Sequence, residues 1–137
     1  FGVHDFPRGA GSADSTQYVY LHENGSNADD SAMTSYIESA DFDLDPDGDK
    51  FMFISRLIPD IDITSPPNNP VNYVIKTRNY PGESLSTNST NEVVGTTTQS
   101  FLRARARQAV IRIESSSTNI AWTLGDLRLE IKPDGRR

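Results

Sequence analysis

Between Leu102 and Glu114 the chain alternates with a period of two, and that alternation constrains the fold more than any other stretch. Leu102, Ala104 and Ala106 share one parity while Arg103, Arg105 and Arg107 share the other. From Ala109 the phase reverses: Ala109, Ile111 and Ile113 become the apolar set, and Val110, Arg112 and Glu114 face away. A period of two is the signature of a strand with one covered face. One extra residue near Gln108 reconciles the two phases, which is what a β-bulge supplies. The spacing therefore predicts one long strand over about 99–115, bulged near Arg107–Ala109. Arg, Ala, Leu and Gln are also good helix formers, but the Ile-Arg-Ile alternation and the strand signals around it favour the strand.

The same period recurs along the chain. QYVYLHE, after a Gly- and Ser-rich opening, reads as a short strand. Residues 24–32 are polar and turn-rich. Tyr36 to Leu44 alternates, Asp45-Pro46-Asp47-Gly48 has the chemistry of a tight turn, and Phe51-Met52-Phe53-Ile54 is β-prone. That succession predicts a β-hairpin over about 36–58, ended by Pro59. Ile61 and Ile63 flank Asp62 in another short strand, and VNYVIKTRN (71–79) reads as a strand. Residues 80–97 carry few large side chains and are expected as an exposed loop with a short strand at 92–94. Trp122 and Leu124 precede Gly125-Asp126, and Leu127, Leu129 and Ile131 follow it, which predicts a closing hairpin. No segment has helical periodicity. The expected class is all-β, an antiparallel β-sandwich built of hairpins with long polar loops. Residues 1–17 read as a linker or the end of a preceding domain, and 18–137 as the β-sandwich-like structural domain. The start on Phe1 fits a piece of a longer polypeptide.

Composition supports a β protein with a large wet or partner-covered surface. Apolar residues are only 35% of the chain, below the usual range for a globular domain. No apolar run approaches the length of a membrane span, and the absence of cysteine rules out disulfides and Cys-ligated zinc. Charge is divided unevenly. Residues 1–68 hold 13 of the 19 acids and 3 of the 13 Lys and Arg, a net of −10, and residues 69–137 carry a net of +4. Such a split suggests pairing within a subunit or between copies. The charges nominated for a subunit interface are Asp41, Asp43 and Asp45 on one side and Arg103, Arg105 and Arg107 on the other.

Other chemistry is weakly signalled. With Asp43 as position one of a calcium loop, Asp45, Asp47 and Gly48 fall at positions three, five and six. Ile54, however, stands at position twelve, where a bidentate Glu belongs, and Phe51 at nine. The run reads as an acidic turn, and no cofactor or metal is assigned. Arg103, Arg105, Arg107 and Arg112 could contact phosphates, yet the chain is acidic overall and no aromatic interleaves with them as single-strand stacking requires. Carboxylates are the better partners. His22-Glu23 lacks the second histidine of a zinc protease motif, and no serine sits in a nucleophile elbow. Carboxylates such as Asp60 and Asp62 leave a glycan-cleaving activity open, because sequence spacing cannot reveal such pairs. The sequences at Asn24 and Asn88 are formal glycosylation sequons. Tyr73, Tyr80 and Trp122 are the aromatics that a carbohydrate-binding face could use, with Trp122 reading as core.

Taken in order, YLHENG, SYIESADFDLDPDGDKFMFISRLIPDIDI, VNYVIKTRNYPG, FLRARARQAVIRIES and AWTLGDLRLEIKPDGRR resemble the C-terminal region of a tailed-bacteriophage virion structural protein of the short-tailed nozzle or tail-tube type. The resemblance covers roughly residues 18–137. The last segment, with Trp122, Leu124, Gly125, Arg128, Leu129 and the terminal Pro133-Asp134-Gly135-Arg136-Arg137, is its most distinctive part. It implies a component of the phage tail in the virion that forms a homo-hexameric ring around the DNA channel and touches neighbouring tail proteins. QYVYLHENG would then be the closing strand of a propeller-like part upstream. The resemblance brings no catalytic residue, no cofactor and no membrane contact, so the expectation is a structural protein and not an enzyme. The alternatives are a receptor- or carbohydrate-binding β-sandwich module of a tail and a glycan-cleaving tail enzyme.

Overall fold

The computed structural model describes residues 8–13, 16–21, 25–28, 30–45, 47–64 and 69–135. The strands are β1 (Arg8–Ala13), β2 (Thr16–Leu21), β3 (Asn27–Ala28), β4 (Ser31–Ala32), β5 (Ser35–Glu38), β6 (Met52–Ile58) and β7 (Ile61–Ile63). They continue with β8 (Val71–Arg78), β9 (Ser86–Val93), β10 (Ser100–Ala106), β11 (Gln108–Ser115), β12 (Trp122–Leu124) and β13 (Arg128–Pro133). No helix occurs among the described residues, and all pairings are antiparallel. Two sheets carry the architecture: a three-stranded one in the order β10-β6-β13 and a four-stranded one in the order β5-β11-β8-β9.

The two sheets face one another across a shared core, as the alternation requires of an all-β sandwich. Met52, Ile54 and Leu57 of β6 and Leu102 and Ala104 of β10 come from one sheet. Val71, Tyr73 and Ile75 of β8, Val93 of β9 and Ala109, Ile111 and Ile113 of β11 come from the other. Along one side the sheets are stitched together. Asn91 of β9 donates through Nδ2 to the Phe101 carbonyl at 3.1 Å and to Ser100 Oγ at 2.8 Å.

The phase reversal near Gln108 marks a change of sheet. Instead of one long strand, the chain forms β10, breaks at Arg107 and continues as β11 in the opposite layer. Leu102, Ala104 and Ala106 are buried before the break, and Ala109, Ile111 and Ile113 after it. Arg107, outside both strands, is the extra residue at the corner between the layers, and it is what shifts the parity. A separate bulge does exist within β10, where the register with β6 shifts between Phe101 and Ala104.

Both expected hairpins are replaced by longer-range pairings. β5 pairs with β11 and β6 pairs with β10 and β13, so residues 36–58 join two sheets instead of folding back on themselves. The turn itself is present: the Gly48 N–H donates to the Asp45 carbonyl at 2.8 Å, and Gly48 has φ 67°. Trp122–Leu124 and the strand after it likewise do not pair with each other. β12 runs beside β7 and β13 beside β6. Together they form one antiparallel ribbon that turns a corner. Its ends are held by the Thr64 N–H to the Ala121 carbonyl at 2.9 Å and by the Phe51 N–H to the Gly135 carbonyl at 2.8 Å. At the corner the Gly125 N–H donates to the Asp60 carbonyl at 2.8 Å, and the Asp60 carboxylate accepts the Asp126 N–H at 3.0 Å. A Cβ on residue 125 would overlap that carboxylate, so a larger residue there would have to push the Asp60 side chain off the Asp126 N–H.

Two stretches expected as loops are strands. Residues 8–13 pair with β2 from Arg8↔Leu21 to Ala13↔Thr16, so the 17/18 boundary falls inside β2. Residues 86–93 form β9 on the free edge of the four-stranded sheet. Its side chains are mostly polar and exposed, and its pairing with β8 is backbone chemistry that side-chain patterning does not register. The connection before it turns at Gly82 (φ 84°), where Glu83 accepts the N–H groups of Asn79 at 2.9 Å and Tyr80 at 3.3 Å.

Trp122 is half-buried and ties the corner ribbon to the four-stranded sheet. Its indole N–H reaches Ser35 Oγ at 3.1 Å and Ser115 Oγ at 3.0 Å, and the two hydroxyls lie 3.0 Å apart. Ser115 is fully buried. Replacing Trp122 with phenylalanine keeps a ring but removes the donor both hydroxyls accept from, leaving them only each other, and is expected to cost about 1 kcal/mol. A denaturant titration that shows a lower midpoint at unchanged slope checks it.

Candidate assembly surface

The outer face of the three-stranded sheet carries the arginines. With Leu102, Ala104 and Ala106 turned into the core, Arg103 and Arg105 are exposed and Arg107 is half-buried at the sheet change. The three have different surroundings. Arg105 pairs with the Asp134 carboxylate, donates to the Asp134 carbonyl at 3.1 Å and lies 4.1 Å from the centroid of the Phe51 ring. Arg107 lies 4.9 Å from the Phe51 centroid and 5.3 Å from that of Tyr80. The aromatics missing from the arginine stretch are thus supplied by other elements, and they hold the guanidinium groups through cation–π attraction. Arg103 has no hydrogen-bond or ion-pair partner among the described residues.

Arg103 borders a groove lined by Phe53, Ser55, Phe101 and Leu102. Its origin lies in the strand ladder. Leu102 and Arg103 together oppose Ser55, because Phe101 pairs with Arg56 and Ala104 with Ile54. On the other side Glu130 pairs with Arg56 and Ile131 with Ile54, so Ser55 has no counterpart in β13. The central strand therefore leaves register with both neighbours at one residue. Bulges of this kind re-aim side chains. Here the irregularity leaves Ser55 Oγ buried with no hydrogen-bond partner among the described residues, and Phe101 70% exposed.

The acidic charges sit on the connection between β5 and β6. Asp41 pairs with Arg78, which also donates through Nε to Gln108 at 2.9 Å. Asp45 holds Lys50 at 2.9 Å. Asp43 is exposed and has no hydrogen-bond or ion-pair partner among the described residues. A calcium ion in this loop would have to displace Arg78 and Lys50 from carboxylates they already neutralise. The loop is pinned on both sides of Asp43: Phe42 exchanges backbone hydrogen bonds with Ala109 at 2.9 and 3.0 Å, and the turn at Gly48 closes the other end. Leu44, next to Asp43, is 40% exposed.

Of the six nominated charges, the structure therefore gives Asp41, Asp45 and Arg105 partners within the chain and rests Arg107 on aromatic rings. Asp43 and Arg103 are left open to a partner outside it. The sequence reading missed a second polar cluster on the four-stranded sheet. Lys76 donates to Glu38 at 2.6 Å and, with help from Arg112, holds that carboxyl below the usual carboxylate range. Arg112 also pairs with Glu114 at 2.6 Å and lies 3.7 Å from the Tyr36 ring centroid. Cross-strand register, which puts Arg112 opposite Glu38, is the signal that finds this cluster. The aromatics nominated for a binding face divide: Tyr73 is fully buried, Trp122 is half-buried, and Tyr80 is 62% exposed. His4, His22 and Glu23 lie outside the described residues, as does Asn24. Asn88 of the second sequon lies on β9 and is exposed. No protein-family model and no curated protein matches the chain.

Proposed function

We propose that this chain is a structural β-sandwich of a tailed-bacteriophage virion, a tail component of the nozzle or tail-tube type. It associates with copies of itself in a ring around the DNA channel. The observation that carries the assembly part is the pair of open, complementary features at different places in the chain: a cation beside the exposed Phe101 ring at one, and a pinned loop offering a carboxylate and an aliphatic side chain at the other. A patch that fits a different patch on the next copy generates head-to-tail contacts, and these close into rings when the rotation permits. The phage tail, the virion and the hexameric copy number come from the sequence resemblance.

Sedimentation velocity of the full chain at low and high salt tests the assembly part. The expected result is concentration-dependent association that weakens as salt screens the charges. A monomer at every concentration and salt overturns it. A second reading, a carbohydrate-binding tail module, is favoured by the exposed ring of Phe101 beside Arg103. Binding to a glycan array by a chain that stays monomeric would establish it instead.

A further inference from the structure

The groove beside Ser55 is built for a particular kind of visitor. Arg103 supplies a cation with no partner among the described residues, and the rings of Phe53 and Phe101 line the groove with it. Such a site suits a carboxylate next to an aliphatic side chain. A carboxylate alone would leave the rings wet, and an apolar chain alone would leave the guanidinium unpaired.

The chain itself displays that combination at Asp43-Leu44. Both side chains are exposed, Asp43 is unpaired among the described residues, and the backbone is fixed from either side by Phe42 and by the Asp45–Gly48 turn. Such a loop loses little conformational freedom on docking, so more of the contact energy appears as affinity. The loop is anchored to β11 of the four-stranded sheet, through the Phe42↔Ala109 bridge, whereas the groove lies on the outer face of the three-stranded sheet. The loop is held in place by the Phe42↔Ala109 bridge on one side and by the Asp45–Lys50 pair on the other, and Asp43 does not pair with Arg103 within the chain, so the contact joins separate copies.

We propose that the acidic loop of one copy docks into the Ser55 groove of the next, with Asp43 meeting Arg103 and Leu44 seated between Phe53 and Phe101. This rests on the assembly reading above and specifies its contact. Because loop and groove are different patches, the association is head-to-tail and propagates from copy to copy.

The test is a charge exchange in the full chain, read as the self-association constant by sedimentation. Arg103→Glu and Asp43→Arg are each expected to weaken association by about tenfold or more, and the double variant to recover most of that loss. Arg103→Gln and Asp43→Asn, milder changes at the same exposed positions, are expected to weaken it in the same direction, with far-ultraviolet circular dichroism unchanged. Leu44→Ser is expected to weaken association without altering its salt dependence. If the parent chain associates and all the single variants associate equally well, this contact is wrong while the assembly reading stands. If the single variants weaken association and the double variant recovers nothing, the pairing of Asp43 with Arg103 is wrong. If the parent chain never associates, both readings fall.

Discussion

Truncating Ile54 to alanine is expected to cost about 2–5 kcal/mol, while the same truncation at the larger neighbour Phe53 is expected to cost clearly less. Ile54 lies in the middle strand of the three-stranded sheet, 1% exposed, opposite Ala104 on one side and Ile131 on the other. The facing residue of β10 is an alanine, so no large side chain stands there to refill the space. A cavity left in such a core adds its own cost to the lost transfer free energy. Phe53 has the opposite parity and lines the surface groove, so its ring is already partly in water. Size alone ranks the two the other way, since phenylalanine carries more apolar area than isoleucine. Thermal or denaturant unfolding of the two variants decides the order. A larger loss at Phe53 would mean that β6 is turned over, with every side chain on the wrong face.

That parity is also where the sequence was informative and where it stopped. The alternation from Leu102 to Ile113 identified strands, a change of phase at Gln108 and most of the inward faces, but it assigned Val110 to the outward set and Val110 is buried at 2% exposure. It could not say that the change of phase is a change of sheet, because that depends on partners distant in the chain: β6 for one half, β5 and β8 for the other. Strand neighbours in sequence are usually neighbours in space, and this expectation produced the two hairpins that are absent. In both places the chain uses one long ribbon that joins the middle of the sequence to its end. β9 was invisible for a different reason. A polar edge strand is held by backbone bonds, and its Ser, Thr and Asn side chains look the same in a loop.

The candidate surface was legible in charge and illegible in pairing. Sequence nominated Asp41, Asp43, Asp45, Arg103, Arg105 and Arg107 without separating charges already engaged from charges still available. Arg78, Lys50, Asp134 and the rings of Phe51 and Tyr80 make that separation, and all come from elsewhere in the chain. Exposed ion pairs contribute little to stability, so the engaged charges chiefly fix local geometry. Asp41–Arg78 and Asp45–Lys50 flank the acidic loop and hold its carboxylates in place, which leaves Asp43 presented between them.

Raising the pH from 10 to 12 is expected to remove on the order of 2 kcal/mol of stability through one side chain, Tyr73. Tyr73 is fully buried between the sheets, and its hydroxyl has no hydrogen-bond partner among the described residues. Burial, with the Asp60 carboxylate adding to it, pushes the phenol from its ordinary value of 10 up to about 12. The folded protein therefore holds this proton more tightly than the unfolded chain does. Below pH 10 both states are protonated and the contribution is constant. Between 10 and 12 the unfolded chain releases its proton while the folded one keeps it, so stability falls across that window and levels off above it. Unfolding midpoints measured along a pH series check the slope, and absorbance near 295 nm is expected to show one tyrosine ionising after the others. Tyr73→Phe separates this effect from general alkaline unfolding. The variant removes an unpaired buried hydroxyl, so at neutral pH it is expected to be as stable as the parent or slightly more so. Its stability should then decline less steeply above pH 10. An unchanged alkaline slope in that variant would place the Tyr73 hydroxyl in water, and with it one end of the core between the two sheets.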